Sequence, residues 1–311
     1  MTLKELRIFT LLAELGSVTS AATSLGIAQS AVSRQIADLE AQIGQRLFHR
    51  TGRGLVATEF AQSMLPRAIS LLDDVRRFSV DAKAGAGGAS GVVTVGFVPA
   101  VTAPLSSLLF NRLQQTFPGI QLSIFEGYSG EIETWLATSK IDIGVLNSYR
   151  SDSPIRFQPM FSSEVMLIGA AASTYLDKPV IDFKQLTEIP LVFTVTPSNL
   201  TMLCEKLARQ LGLKLRIEAR SDSAIGILDL VAHGGLHCPL PYHAVSTRLI
   251  SGEFRSARIA EPSIVQKVVL ATSTHHPLSA AARQVVKVLL SLRHELPTDL
   301  RLARSSKSAS A

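Results

Sequence analysis

The chain has 311 residues, of which 46% are hydrophobic, and its formal net charge is +6. At roughly 100 to 200 residues per domain this length predicts two or three folded units, and the hydrophobic content excludes a disordered protein. The two cysteines, Cys204 and Cys238, are too few for a disulfide framework or a four-cysteine zinc site. Because the sequence has no long apolar run and carries charges near its start, we expect a cytoplasmic protein that does not contact a membrane.

The first sixty residues have the pattern of three short helices. Apolar residues at helical spacing, followed by glycine, predict helices over residues 3–15 and 18–25. A third helix is predicted to begin near Gln29, with Val32, Ile36, Leu39 and Ile43 forming one buried stripe. Two helices joined by a tight turn, the second with a short-chained polar face, indicate a helix-turn-helix whose second helix reads the major groove of DNA.

The residues on that polar face have side chains suited to bases and phosphates. Arginine bonds guanine with two hydrogen bonds and glutamine bonds adenine in the same way, although a plain amphipathic helix would show a similar solvated face. The following segment favours DNA, because residues 47–56 read as a β-hairpin with a glycine-rich, basic tip, which is the form of a wing that touches the backbone or minor groove. The candidate DNA-binding residues are Gln29, Ser30, Ser33, Arg34, Arg50 and Arg53.

The same segment resembles the signature of LysR-type transcriptional regulators, and within that family the branch of the nitrogen assimilation control protein. The matching residues are Ala21, Ala22, Leu25, Ile27, the run from Gln29 to Ile36, Leu39, Glu40, Gly44, Leu47, Phe48, Arg50, Thr58 and Glu59. Ala28 departs from the family, which usually has a capping Ser or Thr there, and Phe60-Ala61 replaces Ala-Gly. The resemblance implies a regulator that activates or represses transcription from promoter DNA and is not an enzyme.

A long helix is predicted after the wing, from Thr58 to about Ala82. Its apolar stripe needs a partner surface, which is either its own chain or, as the resemblance implies, the same helix of a second subunit in a homodimer that assembles to a homotetramer. The glycine-rich segment 83–91 marks a domain boundary. The candidate dimerisation residues are Met64, Leu71, Leu72, Val75 and Phe78.

From Val92 onward the pattern alternates between strands and helices. A βαβαβ order over residues 92–146 requires a parallel sheet covered by helices, and a second such series follows residue 161. We therefore expect an α/β protein overall, in which a winged helix-turn-helix precedes a two-lobed effector domain that resembles periplasmic binding proteins. The expected limits are 1–58 for the winged domain, 59–90 for the linker helix and hinge, and 91–300 for the effector domain. Lobe I takes about 91–162 and 266–296, lobe II about 163–265, and residues 301–311 form a disordered tail.

Ligands of open α/β sheets sit beyond the carboxyl ends of strands, near helix N-termini. The loops at 99–102, 127–130, 196–201 and 221–224 are small and rich in hydroxyl groups, which favours a small anionic or polar effector. For each hydroxyl the competing interpretation is helix capping. The candidate effector-binding residues are Ala100, Thr102, Ser129, Ser198, Asn199, Ser223 and His237.

Two alternative functions compete with transcriptional regulation. A cleft enzyme lacks support because the sequence has no G-x-S-x-G, G-x-G-x-x-G after a strand, or H-E-x-x-H motif. A solute-binding protein would have no use for a winged domain. The stretch from His233 to His243 contains three histidines and Cys238, but a glycine turn entering a strand explains it better than a metal site does. We expect no cofactor.

Overall fold

The computed structural model describes residues 1–52, 54–83, 89–147, 155–195, 198–274 and 277–296. The chain forms two compact units, the first holding residues 1–86 and the second nearly all of the rest. Several sequence predictions concern residues outside the described ranges: Arg53 in the wing, most of the glycine-rich segment, part of the 196–201 loop and the 301–311 tail.

The N-terminal unit contains the three expected helices, the hairpin and the long helix. Its elements are α1 (Leu3–Leu15), α2 (Val18–Leu25), α3 (Gln29–Ile43), β1 (Phe48–Thr51), β2 (Gly54–Ala57) and α4 (Glu59–Lys83). A capping box between Thr2 and Glu5 starts α1, and Gly16 ends it with a left-handed φ of 62°. The predicted helix-turn-helix with a wing is confirmed.

A single core holds these elements together. Leu12, Val32 and Leu39 are fully buried, and Phe9 packs edge-on against Phe48 with ring centroids 5.9 Å apart, which joins α1 to the hairpin. The expectation that Ile43 completes the buried stripe of α3 is wrong, because it is 37% exposed. It is the last residue of the helix, and the chain turns away directly after it at Gly44.

The C-terminal unit contains α/β elements throughout. They are β3 (Gly91–Phe97), α5 (Pro99–Thr116), β4 (Ile120–Glu126), α6 (Ser129–Ala137), β5 (Ile143–Asn147), β6 (Ile155–Ala170), β7 (Val180–Asp182), β8 (Leu191–Thr194), α7 (Asn199–Gln210), β9 (Ile217–Ser221), α8 (Ala224–His233), β10 (Cys238–Pro241), α9 (Tyr242–Ile250), β11 (Phe254–Ala260), β12 (Val265–Ser273) and α10 (Ala280–Leu292). No helix in the described part of the chain is long and apolar enough to cross a membrane.

The strand pairing builds two lobes on one long strand. In lobe I, β3 lies between β4 and β5 and is parallel to each, as the βαβαβ pattern predicted, while β12 returns antiparallel beside β5. Strand β6 pairs with β12 and then continues into lobe II, where β10 and β11 pair with it. The expected parallel pairing holds for β4, β3 and β5. The returning strand β12 is antiparallel to β5, and β10 and β11 are antiparallel to β6, so the second lobe is not a parallel sheet. Separate apolar cores lie under the lobes, one including Met160 and Val268, another Val165 and Ile264.

The sequence expectations for this unit missed some elements. The predicted loop at 99–102 is helical, because α5 begins at Pro99, which occupies the first helical turn, where a missing N–H costs nothing. Helix α9 and strand β11 were not predicted. The buried residues of α9 include Tyr242, His243 and Ser246, so its inward face is partly polar and gives a weak apolar signal.

Candidate DNA-binding surface and effector pocket

The polar face of α3 is free of contacts that would compete with DNA. Gln29, Ser30 and Arg34 are exposed and Ser33 is half-buried. Ala28 precedes the helix with extended backbone and supplies no side-chain cap, so the first turn carries unpaired N–H groups. The face is therefore open to a partner along its first two turns.

The wing is a tight antiparallel hairpin beside this helix. Arg50 lies opposite Leu55, and Arg50 is exposed. The Leu55 N–H donates to the Gly16 carbonyl over 2.8 Å. Gly54 has a φ of 127°, and a Cβ there would lie 2.6 Å from the same Gly16 oxygen, so only glycine fits this approach. The α1–α2 turn and the wing are thus in direct contact.

The apolar stripe of α4 is divided between two environments. Met64 and Leu72 pack against the core of the N-terminal unit, so part of the expected dimerisation stripe is covered by its own chain. Leu71, Val75 and Phe78 are 47%, 38% and 75% exposed, and their spacing of four and three places them on one face. This α4 apolar face (Leu71, Val75 and Phe78) is the part of the stripe that remains open to a second subunit.

A pocket of about 890 Å³, including its opening to solvent, lies in the C-terminal unit between residues of lobe I and lobe II. Most of its lining is apolar. Of the predicted effector residues, Ala100, Ser129, Ser198 and Asn199 line it. The other lining residues are Val98, Pro99, Tyr128, Asn147, Phe193, Thr194, Leu200, Thr201, Ala224, Ile227, Leu228, Cys238, Pro239, Leu240, Pro241, Ala244, Val245 and Gln266.

The polar groups of the pocket meet at the end of β5. The Asn147 carbonyl accepts hydrogen bonds from Ser129 Oγ at 3.2 Å and from Asn199 Nδ2 at 3.3 Å. The Asn147 N–H donates to Ser129 Oγ at 3.3 Å. Asn147 Oδ1 and Gln266 Oε1 are buried and have no partner among the described residues. These bonds join lobe I to α7 of lobe II and leave two amide oxygens unpaired.

The electrostatic character of the pocket comes from the backbone. No lysine, arginine, histidine, aspartate or glutamate is among the described residues that line it. The first turns of α5, α6, α7 and α8 contribute Pro99, Ser129, Asn199 and Ala224 to the lining. Helix N-termini carry partial positive charge and unpaired N–H groups. The pocket therefore combines an apolar wall with a weakly positive, hydrogen-bonding end.

Three predicted effector residues lie away from the pocket lining. The Thr102 hydroxyl donates to the Val98 carbonyl within α5, because that segment is helix and not loop. Ser223 caps α8 by accepting from the Gly226 N–H at 3.2 Å, which is the capping role that the sequence had left open. His237 is buried, with Nε2 2.6 Å from Ser173 Oγ and Nδ1 3.3 Å from the Pro190 carbonyl. Burial lowers the pKa of His237, which favours the neutral ring.

The sequence reasoning missed Tyr128, Asn147 and Gln266. Tyr128 lines the pocket, and its hydroxyl donates to the Asp222 carbonyl of lobe II at 3.2 Å, so it bridges the lobes. Burial, with the nearby Asp222 carboxylate, raises the pKa of Tyr128. A polar residue at the last position of an otherwise apolar strand, as Asn147 is in β5, was the available signal.

Both cysteine side chains are buried. Cys238 lines the pocket, Cys204 is a residue of α7 that packs into the core of lobe II, and burial raises the pKa of each thiol. The described residues contain no group of three or more His, Cys, Asp or Glu side chains placed to hold a metal ion.

A winged helix-turn-helix followed by a two-lobed pocket domain defines a ligand-responsive DNA-binding regulator. Residues 3–62 match the family described as "Bacterial regulatory helix-turn-helix protein, lysR family", and residues 86–293 match the "LysR substrate binding domain". The chain belongs to the LysR family of transcriptional regulators, which confirms the resemblance seen in its first sixty residues.

Individual relatives agree with this assignment along most of the chain. The nitrogen assimilation regulatory protein Nac of Klebsiella aerogenes is 26% identical over 299 residues, covering 94% of this chain and 95% of that protein. The uncharacterized HTH-type transcriptional regulator YeiE of Escherichia coli K12 is 26% identical over 269 residues, covering 85% and 87%. The fold is shared with full-length CbnR complexed with target DNA (TM-score 0.73, 18% identity, 93% and 99% covered) and with a full-length OxyR variant from Pseudomonas aeruginosa (0.71, 19%, 96% and 96%).

Proposed function

We propose that α3 and the wing of this regulator bind specific promoter DNA through Gln29, Ser30, Ser33, Arg34 and the hairpin arginines. The observation that carries this proposal is the open polar face of α3, whose side chains are exposed beside a basic hairpin. Arg34 would read a base edge in the major groove, and Arg50 and Arg53 would contact the backbone. A footprint on the DNA flanking the gene tests this, because regulators of this kind often control a neighbouring, divergent gene.

The effector that fits the pocket is a small molecule with an apolar body and one anionic or strongly polar end. The apolar lining would cover the body, and the N-termini of α5–α8 would hold the polar end. The amide oxygens of Asn147 and Gln266 accept hydrogen bonds, so they favour an effector that also carries an N–H or O–H donor. A fully apolar ligand would leave both oxygens unpaired, which costs free energy. An effector with two positive charges is disfavoured because the described lining has no carboxylate.

Thermal-shift and titration measurements with carboxylates, their isosteric amides, amino acids and inorganic anions test the effector proposal. Ser129→Ala should lower the affinity for the stabilising compound by roughly tenfold, which corresponds to the loss of one hydrogen bond in a buried site. Ser223→Ala is the matched control: it removes a helix cap outside the pocket, so it should lower stability by about 1 kcal/mol and leave ligand affinity unchanged. Stabilisation by bulky apolar compounds alone would contradict the proposal.

The assembly that fits the remaining exposed surface is a homodimer joined through the α4 apolar face and, as the family resemblance implies, paired into a homotetramer. Leu71, Val75 and Phe78 support the first step, because soluble monomers rarely expose a contiguous apolar face.

As a regulator of promoter DNA, the protein would act in the cytoplasm. We assign no catalytic role to the pocket, since His237 lies outside its lining and the Cys238 thiol stays protonated.

A further inference from the structure

One acidic side chain of the recognition helix holds the beginning of the wing. Glu40 Oε1 accepts a hydrogen bond from the Leu47 N–H at 2.7 Å and another from the Phe48 N–H at 3.1 Å. Glu40 lies in α3, and Phe48 is the first residue of β1. Hydrogen bonds from backbone N–H groups to a carboxylate are stronger than those to a neutral acceptor. The contact therefore ties the hairpin directly to the helix that carries the DNA-binding face.

The position of this carboxylate on α3 makes it unusual for a DNA-binding surface. Glu40 follows Ser33 by seven residues, which is two helical turns, so the two side chains share one face of the helix. Ser33, Glu40, Arg46 and Arg50 line a common groove between α3 and the hairpin. A negative charge in a groove that approaches phosphates opposes binding. The two hydrogen bonds that Glu40 accepts from the hairpin explain why a carboxylate is present here: the contact they make offsets the repulsion between this charge and the phosphates.

The other hydrogen bonds of the wing are to different elements. The Leu55 N–H bonds the Gly16 carbonyl before α2, and the Thr58 N–H and hydroxyl bond the carbonyls of Leu47 and Arg46 near the start of α4. These contacts fix the hairpin to its flanks but not to α3. Among the hydrogen bonds recorded for the described residues, those of Glu40 alone join α3 to the hairpin.

We infer that Glu40 is a positioning residue for DNA recognition: it sets the distance between α3 and the wing so that both contact one duplex together. The inference rests on the proposed docking by α3 and the wing. Without the Glu40 contact the hairpin would keep its hydrogen bonds to its flanks, but it would no longer be held at one distance from α3. The phosphate contacts of the wing would then be lost while the base contact of Arg34 remains.

Three substitutions in the full-length protein separate the length of the side chain from its charge. Glu40→Asp keeps the charge but is one methylene shorter, so it cannot reach both N–H groups. Glu40→Gln keeps the reach and an acceptor oxygen but removes the charge. Glu40→Ala removes both. Asp38→Ala is the matched control, because Asp38 is an exposed acidic residue on a different face of α3.

The measurements are amide exchange over residues 45–57, a phosphate-level footprint, and the salt dependence of DNA affinity. We expect Glu40→Asp and Glu40→Ala to speed exchange of the Leu47 and Phe48 amides, abolish protection at the wing while keeping protection under α3, and weaken binding by roughly tenfold. The slope of log affinity against log salt should fall by about 0.9 for each lost phosphate contact. Glu40→Gln and Asp38→Ala should bind with the wild-type footprint.

Other results would overturn the inference. A Glu40→Asp protein with a wild-type footprint would mean that the bonds do not position the wing. A Glu40→Gln protein that loses the wing footprint while the Leu47 and Phe48 amides exchange at the wild-type rate would mean that the charge acts on DNA without positioning the wing. If Glu40→Ala does not fold, the Asp and Gln variants still decide the question. A wild-type protein that protects DNA at neither α3 nor the wing would instead contradict the proposed docking itself.

Discussion

The two functional regions hold their polar side chains in opposite ways. On α3 the DNA-facing residues Gln29, Ser30 and Arg34 are exposed. In the pocket Ser129 and Ser198 are buried, and Ser129 is bonded to Asn147. The polar side chains of α3 are free to form hydrogen bonds with a partner, whereas those of the pocket already form hydrogen bonds within the protein. Substitutions on α3 should therefore change affinity with little effect on stability, and substitutions in the pocket should change both.

The largest expected effect is at the α4 apolar face, where it tests the role of exposed residues. Phe78→Glu should weaken self-association by about 100-fold or more, because a charge would have to be buried in an apolar contact. Light scattering or sedimentation at micromolar concentration measures it. Gln62→Glu is the control, because Gln62 is exposed on the opposite side of α4, two and a half turns before Leu71, and it should assemble normally. A monomeric wild-type protein would contradict the prediction.

The next effect distinguishes base reading from backbone contact. Arg34→Ala should lose about 1 to 3 kcal/mol of specific binding and relax the sequence preference, while Arg50→Ala should weaken all sequences alike and lower the salt slope by about 1. Gel shifts on specific and scrambled duplexes at several salt concentrations measure these changes. Thermal stability should stay at the wild-type value for each protein, since both side chains are exposed. Equal loss on both duplexes for Arg34→Ala would place that side chain on the backbone.

The difference between the regions also explains what the sequence could predict. The winged domain is made of short, local elements ended by Gly16, Gly26 and Gly44, so the sequence placed α1, α2 and α3 correctly. Their exposed polar residues stand out against an apolar stripe. The pocket instead assembles residues from distant parts of the chain, such as Tyr128, Asn147 and Gln266. No local pattern reports which strand ends will meet.

Hydroxyl groups in the predicted loops show why only some of the predicted effector residues line the pocket. Ser129 and Ser223 both stand at the start of a helix, and sequence alone treats them alike. Ser129 bonds the end of β5 and lines the pocket, whereas Ser223 bonds its own helix. Thr102 lies outside the lining for another reason, because α5 begins at Pro99 and the predicted loop 99–102 is helical. Tertiary placement, which the local sequence does not encode, decides among such residues.

A buried histidine in the C-terminal unit extends the comparison, because its ring is buried but its nitrogens lack hydrogen-bond partners. His243 packs edge-on against Phe161 with ring centroids 5.0 Å apart, and neither ring nitrogen has a partner among the described residues. Burial lowers its pKa to about 3. The unfolded chain takes up a proton below about pH 6.5 that the folded chain does not. The contribution of His243 to the free energy of unfolding should therefore be fully present above about pH 7.5 and be lower by about 2 kcal/mol at pH 5.

Denaturant titrations across that pH range measure the loss. His243→Leu should flatten the dependence, leaving the smaller contribution of His237, whose pKa is also lowered by burial. His233→Gln is the control, because His233 is exposed and should leave the dependence as it is. A His243→Leu protein with an unchanged pH dependence would show that the buried ring is not its source.

The smallest effect belongs to the hydrogen bond that joins the two lobes at Tyr128. Removing its hydroxyl with Tyr128→Phe breaks the bond to the Asp222 carbonyl and costs about 0.5 to 1.5 kcal/mol of the closed arrangement. An effector that binds the closed lobes loses the same free energy, so its affinity should fall about two- to tenfold through faster dissociation. Because burial raises the pKa of Tyr128, the hydroxyl keeps its proton at neutral and mildly alkaline pH, and this difference should persist there. Tyr175→Phe, an exposed tyrosine outside the pocket, is the matched control. If Tyr128→Phe released the effector at the wild-type rate, the lobes would be held closed by the Asn147–Asn199 contact without help from the tyrosine, and the pocket's internal bonds would not act together.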